Sequence, residues 1–216
     1  MREYNQSEIL TLRERVTANM SEKRARHTLA VEQMAARLAA LYCPEKEQML
    51  RVAALLHDVT KEWKTDRHVA FLQERGVEVS ALDVAAPKTL HARTAALLIP
   101  EAFAEYADPE VISAVRFHTT GREGMTLCEQ IVYLADYIDE SRTFPDCVTL
   151  RHAFWDAQPE KMSEDARREH LSRVLVQSFD MTVTGLIKDG APVSNDTFLA
   201  RNSLILKLMI ENQTDN

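Results

Sequence analysis

Cysteine, glycine and proline are all scarce in this chain, whose 216 residues include three Cys, five Gly and seven Pro. The cysteines, Cys43, Cys128 and Cys147, are odd in number and have no C-x-x-C spacing, which argues against a disulfide framework and a thiolate zinc site. No stretch approaches the roughly 18 uncharged apolar residues that a membrane span requires, and residues 1–8 contain no apolar signal segment. We therefore expect a cytoplasmic protein with no membrane partner.

Positive charge is not in excess either. The 33 acidic and 26 basic residues give a net charge of −7, whereas proteins that bind nucleic acids usually carry a basic stripe. The composition therefore argues against a nucleic-acid partner and leaves a small anionic ligand open.

Amphipathic periodicity is abundant. Nearly every apolar stretch has the i, i+3, i+4 spacing of a helix rather than strict alternation, so we predict an all-α protein. The first four predicted helices run from Ser21, as cap, to about Leu41, from Pro44 past His57 to about Trp63, over 66–75, and over 91–99, where Pro100 ends the helix. The next two run from Asp108 to His118 and from a capping box of Thr126 and Glu129 through Asp136. The last two run from Ser163 to about Lys188 and from a cap at Asn195 or Asp196 to about Glu211.

The pair His57-Asp58 stands at the end of an otherwise apolar run, residues 50–56. Burying a polar group without a partner costs roughly 2–7 kcal/mol, so a partner is expected. An imidazole and an adjacent carboxylate can converge on one divalent cation. The pair therefore predicts a metal site, for which further ligands must come from elsewhere in the chain.

Four other acidic or imidazole side chains lie in or beside apolar helical segments: His27, His91, His118 and Asp136. We predict His27, His57, Asp58 and Asp136 as metal ligands. Two imidazoles and two carboxylates without a thiolate suit Fe, Mn, Co or Zn and disfavour a structural zinc site.

His91 and His118 could complete a second metal position with Asp58 as the bridge, or could instead donate hydrogen bonds to an anionic ligand. Spacing alone does not separate these roles. Two ions about 3.5–4 Å apart would suit the hydrolysis of a phosphoester or a phosphoanhydride. His68, His152 and His170 lie in polar contexts, and we expect them to be exposed and without a role.

Basic and hydroxyl side chains near these positions favour phosphate as the ligand. Lys61 follows Asp58 by three residues, and Arg24 precedes His27 by three, so each is expected to face the site. The loop 119–124 after His118 has two hydroxyls, two glycines and a guanidinium, which can grip phosphate. The candidate phosphate contacts are Arg24, Lys61, Thr119, Arg122 and Arg142.

With these residues in hand, the chain resembles the HD-domain superfamily of metal-dependent phosphohydrolases, whose pattern H…HD…D corresponds to His27, His57-Asp58 and Asp136. The likeness is closer to the YqeK-like bacterial symmetrical dinucleoside-tetraphosphate hydrolases. It is carried by residues 23–27 (KRARH), 53–61 (AALLHDVTK), 90–91 (LH), 117–126 (FHTTGREGMT), 135–142 (ADYIDESR) and 196–202 (DTFLARN).

The resemblance implies an HD-domain helical bundle over residues 20–145, followed by a C-terminal helical extension, 146–216, that packs on the core and is not an independent domain. It also implies an iron site, of one or two ions, that splits diadenosine tetraphosphate into two ADP. Nucleotide contacts would come from residues that match the pattern and from the long helix: Arg24, His27, His91, His118, Thr119, Arg122, Asp136, Arg142, Ser178 and Thr182. Asp58 and Lys61 would be the catalytic pair.

Alternatives remain at this point. An HD-domain hydrolase of mononucleotides would need the same metal core, and a non-catalytic nucleotide sensor would share the fold. Neither the H-H-E…G-Y-P pattern of cyclic-dinucleotide phosphodiesterases nor the H-D-x-x-E-D pattern of alarmone hydrolases occurs. A homodimer is compatible with the sequence.

Overall fold

The computed structural model describes residues 2–214, which form eleven α-helices and four short 3-10 turns, with no strand in this part of the chain. The helices are α1 Gln6–Thr17, α2 Glu22–Tyr42, α3 Glu47–Leu56, α4 Thr65–Glu74, α5 Ala81–Ala85, α6 Leu90–Ala102, α7 Pro109–Phe117, α8 Leu127–Ile138, α9 Pro145–Trp155, α10 Glu164–Lys188 and α11 Asn195–Thr214. The all-α prediction is confirmed. No helix among residues 2–214 has both the length and the apolar character that a bilayer span requires.

Helix α3 is the centre of the bundle. Seven of its ten residues are buried, and it packs against α1, α2, α7 and α8. A helix that is apolar on all sides is stable only when neighbours cover every side. The end of α3 therefore lies deep in the molecule, and this is where His57 and Asp58 stand.

The predicted helix starts are largely confirmed. Ser21 caps α2, Asp108 with Pro109 starts α7, Thr126 and Glu129 form a capping box on α8, and Ser163 caps α10. Each of these side-chain oxygens accepts a backbone N–H that would otherwise lack a partner.

Several predicted boundaries are wrong. Helix α3 ends at Leu56, not near Trp63, and residues 57–62 form turns. Pro100 lies inside α6 rather than ending it, because Phe103 N still donates to Ile99 O at 2.8 Å and completes the last turn. Asn195 is the first residue of α11 and not its cap.

Apolar periodicity does not predict three of the helices, α1, α5 and α9. Helix α1 buries only Ile9, Leu12 and Val16, and its start is fixed by a capping box between Asn5 and Glu8. So few apolar positions give a weak pattern, and α5 has no fully buried residue at all.

The C-terminal helices share the core of the bundle. Buried side chains of α10 and α11, such as Phe179 and Ala200, belong to the same apolar cluster as those of α2 and α3. The loop after α7 meets them at Gly121, whose φ is +64°. A Cβ at Gly121 would lie 2.7 Å from Phe179 Cζ and 2.8 Å from Ala200 Cβ, so only glycine allows this close approach.

Candidate metal centre

Four imidazoles converge at the inner ends of the bundle helices. His27 lies in α2, His57 directly follows α3, His91 is the second residue of α6, and His118 directly follows α7. All four are buried. The structure thus brings together every histidine that was predicted for the site.

Main-chain carbonyls fix the orientation of three of these rings. Nδ1 of His57 lies 2.6 Å from Ala54 O, and Nδ1 of His118 lies 2.6 Å from Val115 O. These carbonyls belong to the last turns of α3 and α7, where backbone acceptors lack partners within the helix. Nδ1 of His91 similarly lies 2.8 Å from Lys88 O. Because Nδ1 carries the proton in each neutral ring, Nε2 presents a lone pair to the centre.

The two oxygens of Asp58 face different pairs of imidazoles. Oδ2 lies 3.3 Å from Nε2 of His57 and 3.7 Å from Nε2 of His27. Oδ1 lies 3.2 Å from Nε2 of His91 and 3.8 Å from Nε2 of His118. A carboxylate placed in this way can bridge two neighbouring cations.

Asp136 closes the His27 side of the cluster. Its Oδ1 lies 2.9 Å from Nε2 of His27 and 3.7 Å from Nε2 of His57. On the far side of the His27 ring, Asp139 Oδ2 lies 3.3 Å from Nδ1. Ser141 Oγ also lies 3.3 Å from this nitrogen, so Asp139 and Ser141 together face the outer side of the ring, where a ligating histidine usually has its orienting partner.

The arrangement of the nitrogen and oxygen atoms suits coordination of a cation better than hydrogen bonding among the side chains themselves. Nε2 of His91 and Nε2 of His118 are only 2.9 Å apart, although neither carries a proton when its Nδ1 donates to a carbonyl. His57 Nε2 and Asp58 Oδ1 are buried without a hydrogen-bond partner within the described part of the chain. Such orphaned acceptors cost about 1–3 kcal/mol each unless a ligand satisfies them.

Two overlapping groups have all their donor atoms within 4.8 Å of one another: His27, His57 and Asp136, and His57, Asp58 and His118. Nitrogen and carboxylate donors of this kind suit a divalent transition metal. Between them the two groups contain His27, His57, Asp58, His118 and Asp136, and His91 lies beside them with its Nε2 3.2 Å from Asp58 Oδ1.

The charge states of these groups follow from burial and from their neighbours. Burial alone would lower the pKa of His27, but hydrogen bonds to Asp136 and Asp139 raise it to about 9. Burial lowers the pKa of His91 to about 3. The pKa values of Asp58 and Asp136 stay well below the ordinary value despite burial, because imidazoles surround the first and Arg142 lies beside the second. Both carboxylates are thus ionised.

Three cations flank the cluster, as predicted. Arg24 donates to Asp58 Oδ2, and a terminal nitrogen of Arg142 lies 2.5 Å from Asp136 Oδ1. Lys61 Nζ lies 3.1 Å from Nε2 of His91 and 3.9 Å from Asp58 Oδ1. Burial lowers the pKa of Lys61. Lys61 reaches the cluster from a turn, although the continuous helix that was expected to carry it ends at Leu56.

Of the two other predicted phosphate contacts in the loop after α7, Thr119 lies at the imidazoles and Arg122 does not. Thr119 Oγ1 lies 3.1 Å from Nε2 of His91 and 3.0 Å from Nε2 of His118, so it belongs to the centre. Arg122 lies further along the loop and binds Glu129, a buried carboxylate at the start of α8, at 3.0 Å.

Of the three histidines that were expected to be exposed and without a role, one is buried. His152 is exposed, as expected, but His68 is buried and its Nδ1 lies 2.9 Å from Thr94 Oγ1. His170 is partly buried and binds Phe154 O at 3.0 Å. The expected exposure of His68 is wrong because α4 packs its inner face on α6.

Asp139 is the functional residue that sequence reasoning misses. It follows Asp136 by three residues, at the C-cap of α8, so the two carboxylates lie on the same side of the chain. Asp139 is fully buried. This i, i+3 spacing of two acids beside an apolar helix is the signal that could have identified it.

Two cavities with separate linings adjoin the cluster, one at Thr119 and the other at His27. A cavity of about 320 Å³ contacts Thr119 and Thr182 and is also lined by Pro87, Leu186 and Pro192. A wider cleft of about 650 Å³ contacts His27 and has Arg24 and Arg142 on its walls. Ser178 reaches neither: it is fully buried, and its Oγ lies 3.1 Å from Tyr133 OH.

An all-α bundle that gathers an imidazole, a His-Asp pair and a distant Asp around one point defines a metal-dependent hydrolase of the HD type. The family described as "HD domain" matches residues 24–141, and the chain belongs to this family.

Curated relatives are similar over most of their length. The chain is 32% identical over 194 residues to a protein of Halalkalibacterium halodurans named bis(5'-nucleosyl)-tetraphosphatase, symmetrical, with 89% of this chain and 94% of the relative covered. A protein of Bacillus subtilis with the same name is 32% identical over 190 residues, covering 88% and 94%.

A solved structure shows the same fold. A Clostridium acetobutylicum protein described as a "predicted HD superfamily hydrolase involved in NAD metabolism" superposes with a TM-score of 0.77 at 30% identity. The match covers 95% of this chain and all of that one.

Proposed function

We propose that the protein is a metal-dependent hydrolase that splits dinucleoside tetraphosphates, diadenosine tetraphosphate among them, symmetrically into two nucleoside diphosphates. The observation that carries this proposal is the position of Asp58, whose two oxygens face separate imidazole pairs in a buried cluster. The names of the Halalkalibacterium halodurans and Bacillus subtilis relatives support the substrate class.

The proposed cofactor is iron, as one or two ions, with Mn, Co or Zn as substitutes. His27, His57, Asp58 and Asp136 would hold one ion, and His91 and His118 would support a second beside Asp58. Such an ion supplies an activated water and braces a phosphoryl oxygen. The absence of a thiolate among these donors favours this chemistry over a structural zinc site.

The proposed polyphosphate contacts are the cations around the cluster. Arg24 and Arg142 flank the carboxylates, and Lys61 stands beside His91. Phosphate oxygens could replace these contacts, because a guanidinium binds phosphate as readily as carboxylate. We keep Lys61, with its lowered pKa, as the proposed proton carrier and Arg122 as an outer phosphate contact.

One nucleoside is proposed to lie in the 320 Å³ cavity between Thr119 and Thr182. This volume is at the lower end of the range of small-molecule sites, about 300–1,000 Å³. Thr119 connects this cavity to the imidazoles, whereas Ser178 is fully buried against Tyr133 and does not line it. Since the cavity has walls from α10 and the loop before α11, we also propose that residues 146–216 act as part of one unit with the core.

Product analysis tests the function. The purified protein, with its metal content measured, is incubated with diadenosine tetraphosphate, and the first products are separated by chromatography. ADP as the only nucleotide product supports the proposal, whereas ATP and AMP in equal amounts would contradict symmetric cleavage. Tight binding without turnover would support the sensor. A panel with mononucleotides and NAD tests the remaining alternatives, and Asp58→Asn serves as the inactive control.

A further inference from the structure

Phe144 is an apolar ring that the fold leaves in solvent. It lies between α8 and α9, at the N-cap position of α9, and is 66% exposed. No aromatic ring or cation among residues 2–214 contacts its ring. Burying such a side chain normally stabilises a protein, and at this exposure the ring has surface available to a ligand.

The surroundings of Phe144 are basic. It shares the wall of the 650 Å³ cleft with a set of cationic side chains and one metal-site imidazole: Lys23, Arg24, Arg26, Arg142 and His27. The acidic side chain there, Glu22, is paired with Arg26 at 3.0 Å. The cleft therefore combines an imidazole of the cluster, several cationic side chains and an exposed aromatic ring in one lining.

This combination of features matches the chemistry of half of the proposed substrate. A dinucleoside tetraphosphate that is cut at its centre extends from the cluster in two directions, with two phosphates and one nucleoside on each side. If one nucleoside occupies the cavity at Thr119 and Thr182, the other half must leave on a different side. The cleft at His27 offers cations for its phosphates and a ring for its base.

Trp63 is the competing aromatic side chain, but its ring is already in use. The Arg67 guanidinium lies 3.9 Å from its centroid, and the rings of Phe71 and His68 lie at 5.3 and 5.6 Å. The small cavity between Trp63, Lys61 and His91 measures about 220 Å³, which is below the usual size of a ligand site.

We propose that Phe144 stacks on the base of the second nucleoside and so makes this site selective for substrates with a nucleoside at both ends. The inference rests on the proposed function. Base–aromatic stacking contributes enough free energy to change affinity by about tenfold or more, and it tolerates any base.

The test compares two substrates that differ only in the second nucleoside: diadenosine tetraphosphate and adenosine 5'-tetraphosphate. Central hydrolysis gives two ADP from the first and ADP with pyrophosphate from the second. We expect Phe144→Ala to lower the ratio of kcat/KM for the two substrates by about tenfold. Phe144→Leu should lower it similarly, since an aliphatic side chain does not stack, and Phe144→Trp should retain it.

Leu10→Ala is the matched control, because Leu10 is another exposed apolar side chain, at 46%, and lies on α1. It should leave the ratio unchanged. Calorimetry with a diadenosine tetraphosphate analogue that has a central methylene bridge measures binding affinity in the absence of hydrolysis. Equal affinity of the Phe144→Ala variant and the wild type would overturn the inference, even if the wild type cuts symmetrically. Failure of the wild type to bind the analogue or cut the substrate would overturn the proposed function as well.

Discussion

Asp139 Oδ2 lies 3.3 Å from Nδ1 of His27, on the side of the ring that faces away from the metal centre. This carboxylate is fully buried, and together with Asp136 it holds His27 between two acids. The ring orientation at this position thus depends on a side chain, whereas the other three imidazoles are held by the main chain.

Replacing Asp139 by Asn should weaken metal binding by roughly 10- to 100-fold, the usual effect of removing the partner of a ligating histidine. Titration of the metal-free protein with Mn²⁺ or Zn²⁺ measures this. Glu140→Gln is the control, because Glu140 is adjacent and 64% exposed. Equal metal affinities for both variants would show that Asp139 does not orient the ligand.

Asp58→Asn should remove bound metal and abolish hydrolysis, because it eliminates the charge that faces all four imidazoles. The loss should exceed the roughly 10- to 100-fold expected of an outer contact. Elemental analysis of the purified variant gives the metal content. Asp156→Asn, at a carboxylate that is 73% exposed and pairs only with His152 among the described residues, should change neither quantity. An Asp58→Asn variant that keeps its metal and its activity would remove Asp58 from the site.

Metal binding should release close to one proton at neutral pH. His27 has a pKa of about 9 in the metal-free protein and must lose its proton to ligate, whereas His91, with a pKa of about 3, is already neutral. The carboxylates of Asp58 and Asp136 are already ionised. Affinity should therefore rise by about tenfold per pH unit between pH 7 and 9 and then level off. Calorimetry in buffers of different ionisation enthalpy counts the proton, and a pH-independent affinity would contradict the assignment of His27.

Arg142→Ala and Arg122→Ala should have different signatures. Loss of Arg142 should raise KM by about 10- to 150-fold, which corresponds to a charged hydrogen bond of about 1.5–3 kcal/mol. Loss of Arg122 should also raise KM, but it should lower the melting temperature as well, because the buried Glu129 loses a partner. Arg168→Ala, at an exposed helix pair with Glu164, is the control. Unchanged KM in the Arg122 variant would confine that residue to a structural role.

Gly121→Ala should destabilise the protein by about 2–4 kcal/mol. Its positive φ costs about 1–2 kcal/mol for a residue with a Cβ, and the overlap with Phe179 and Ala200 adds the cost of overpacking. Gly124 has a similar φ of +62°, but a Cβ there would meet nothing within 4 Å. Gly124→Ala should therefore show the backbone cost alone. Urea denaturation measures the free energy of unfolding of both variants, and an equal decrease for Gly121→Ala and Gly124→Ala would rule out a contribution from the steric contact.

Much of the fold can be predicted from the sequence because caps and apolar spacing are local. Ser21, Thr126 and Ser163 mark helix starts that the structure confirms. The end of α3 is not readable in this way, because residues 57–62 continue a helical composition while the chain turns. The hydrogen bond between His57 Nδ1 and the Ala54 carbonyl, three residues earlier, accompanies this turn, and no residue pattern predicts it.

In the candidate site, too, some residues can be predicted from local sequence patterns and others cannot. An ionisable pair in an apolar run identifies His57 and Asp58, since burial makes such residues costly without a partner. The pairing of Arg122 with Glu129 and the burial of His68 depend on how separate helices meet. Neither has a local signature, so both required the structure.

The carbonyls of Ala54, Lys88 and Val115 have a consequence for how freely the chain can vary. A main-chain acceptor is present whichever side chain its residue carries, so substitutions at these three positions cannot delete the groups that orient His57, His91 and His118. Only a change of helix phase, such as an insertion or deletion in the preceding turn, would misdirect the rings. The orientation of three of the four rings is thus independent of the identity of a neighbouring side chain, whereas that of His27 depends on Asp139 and Ser141.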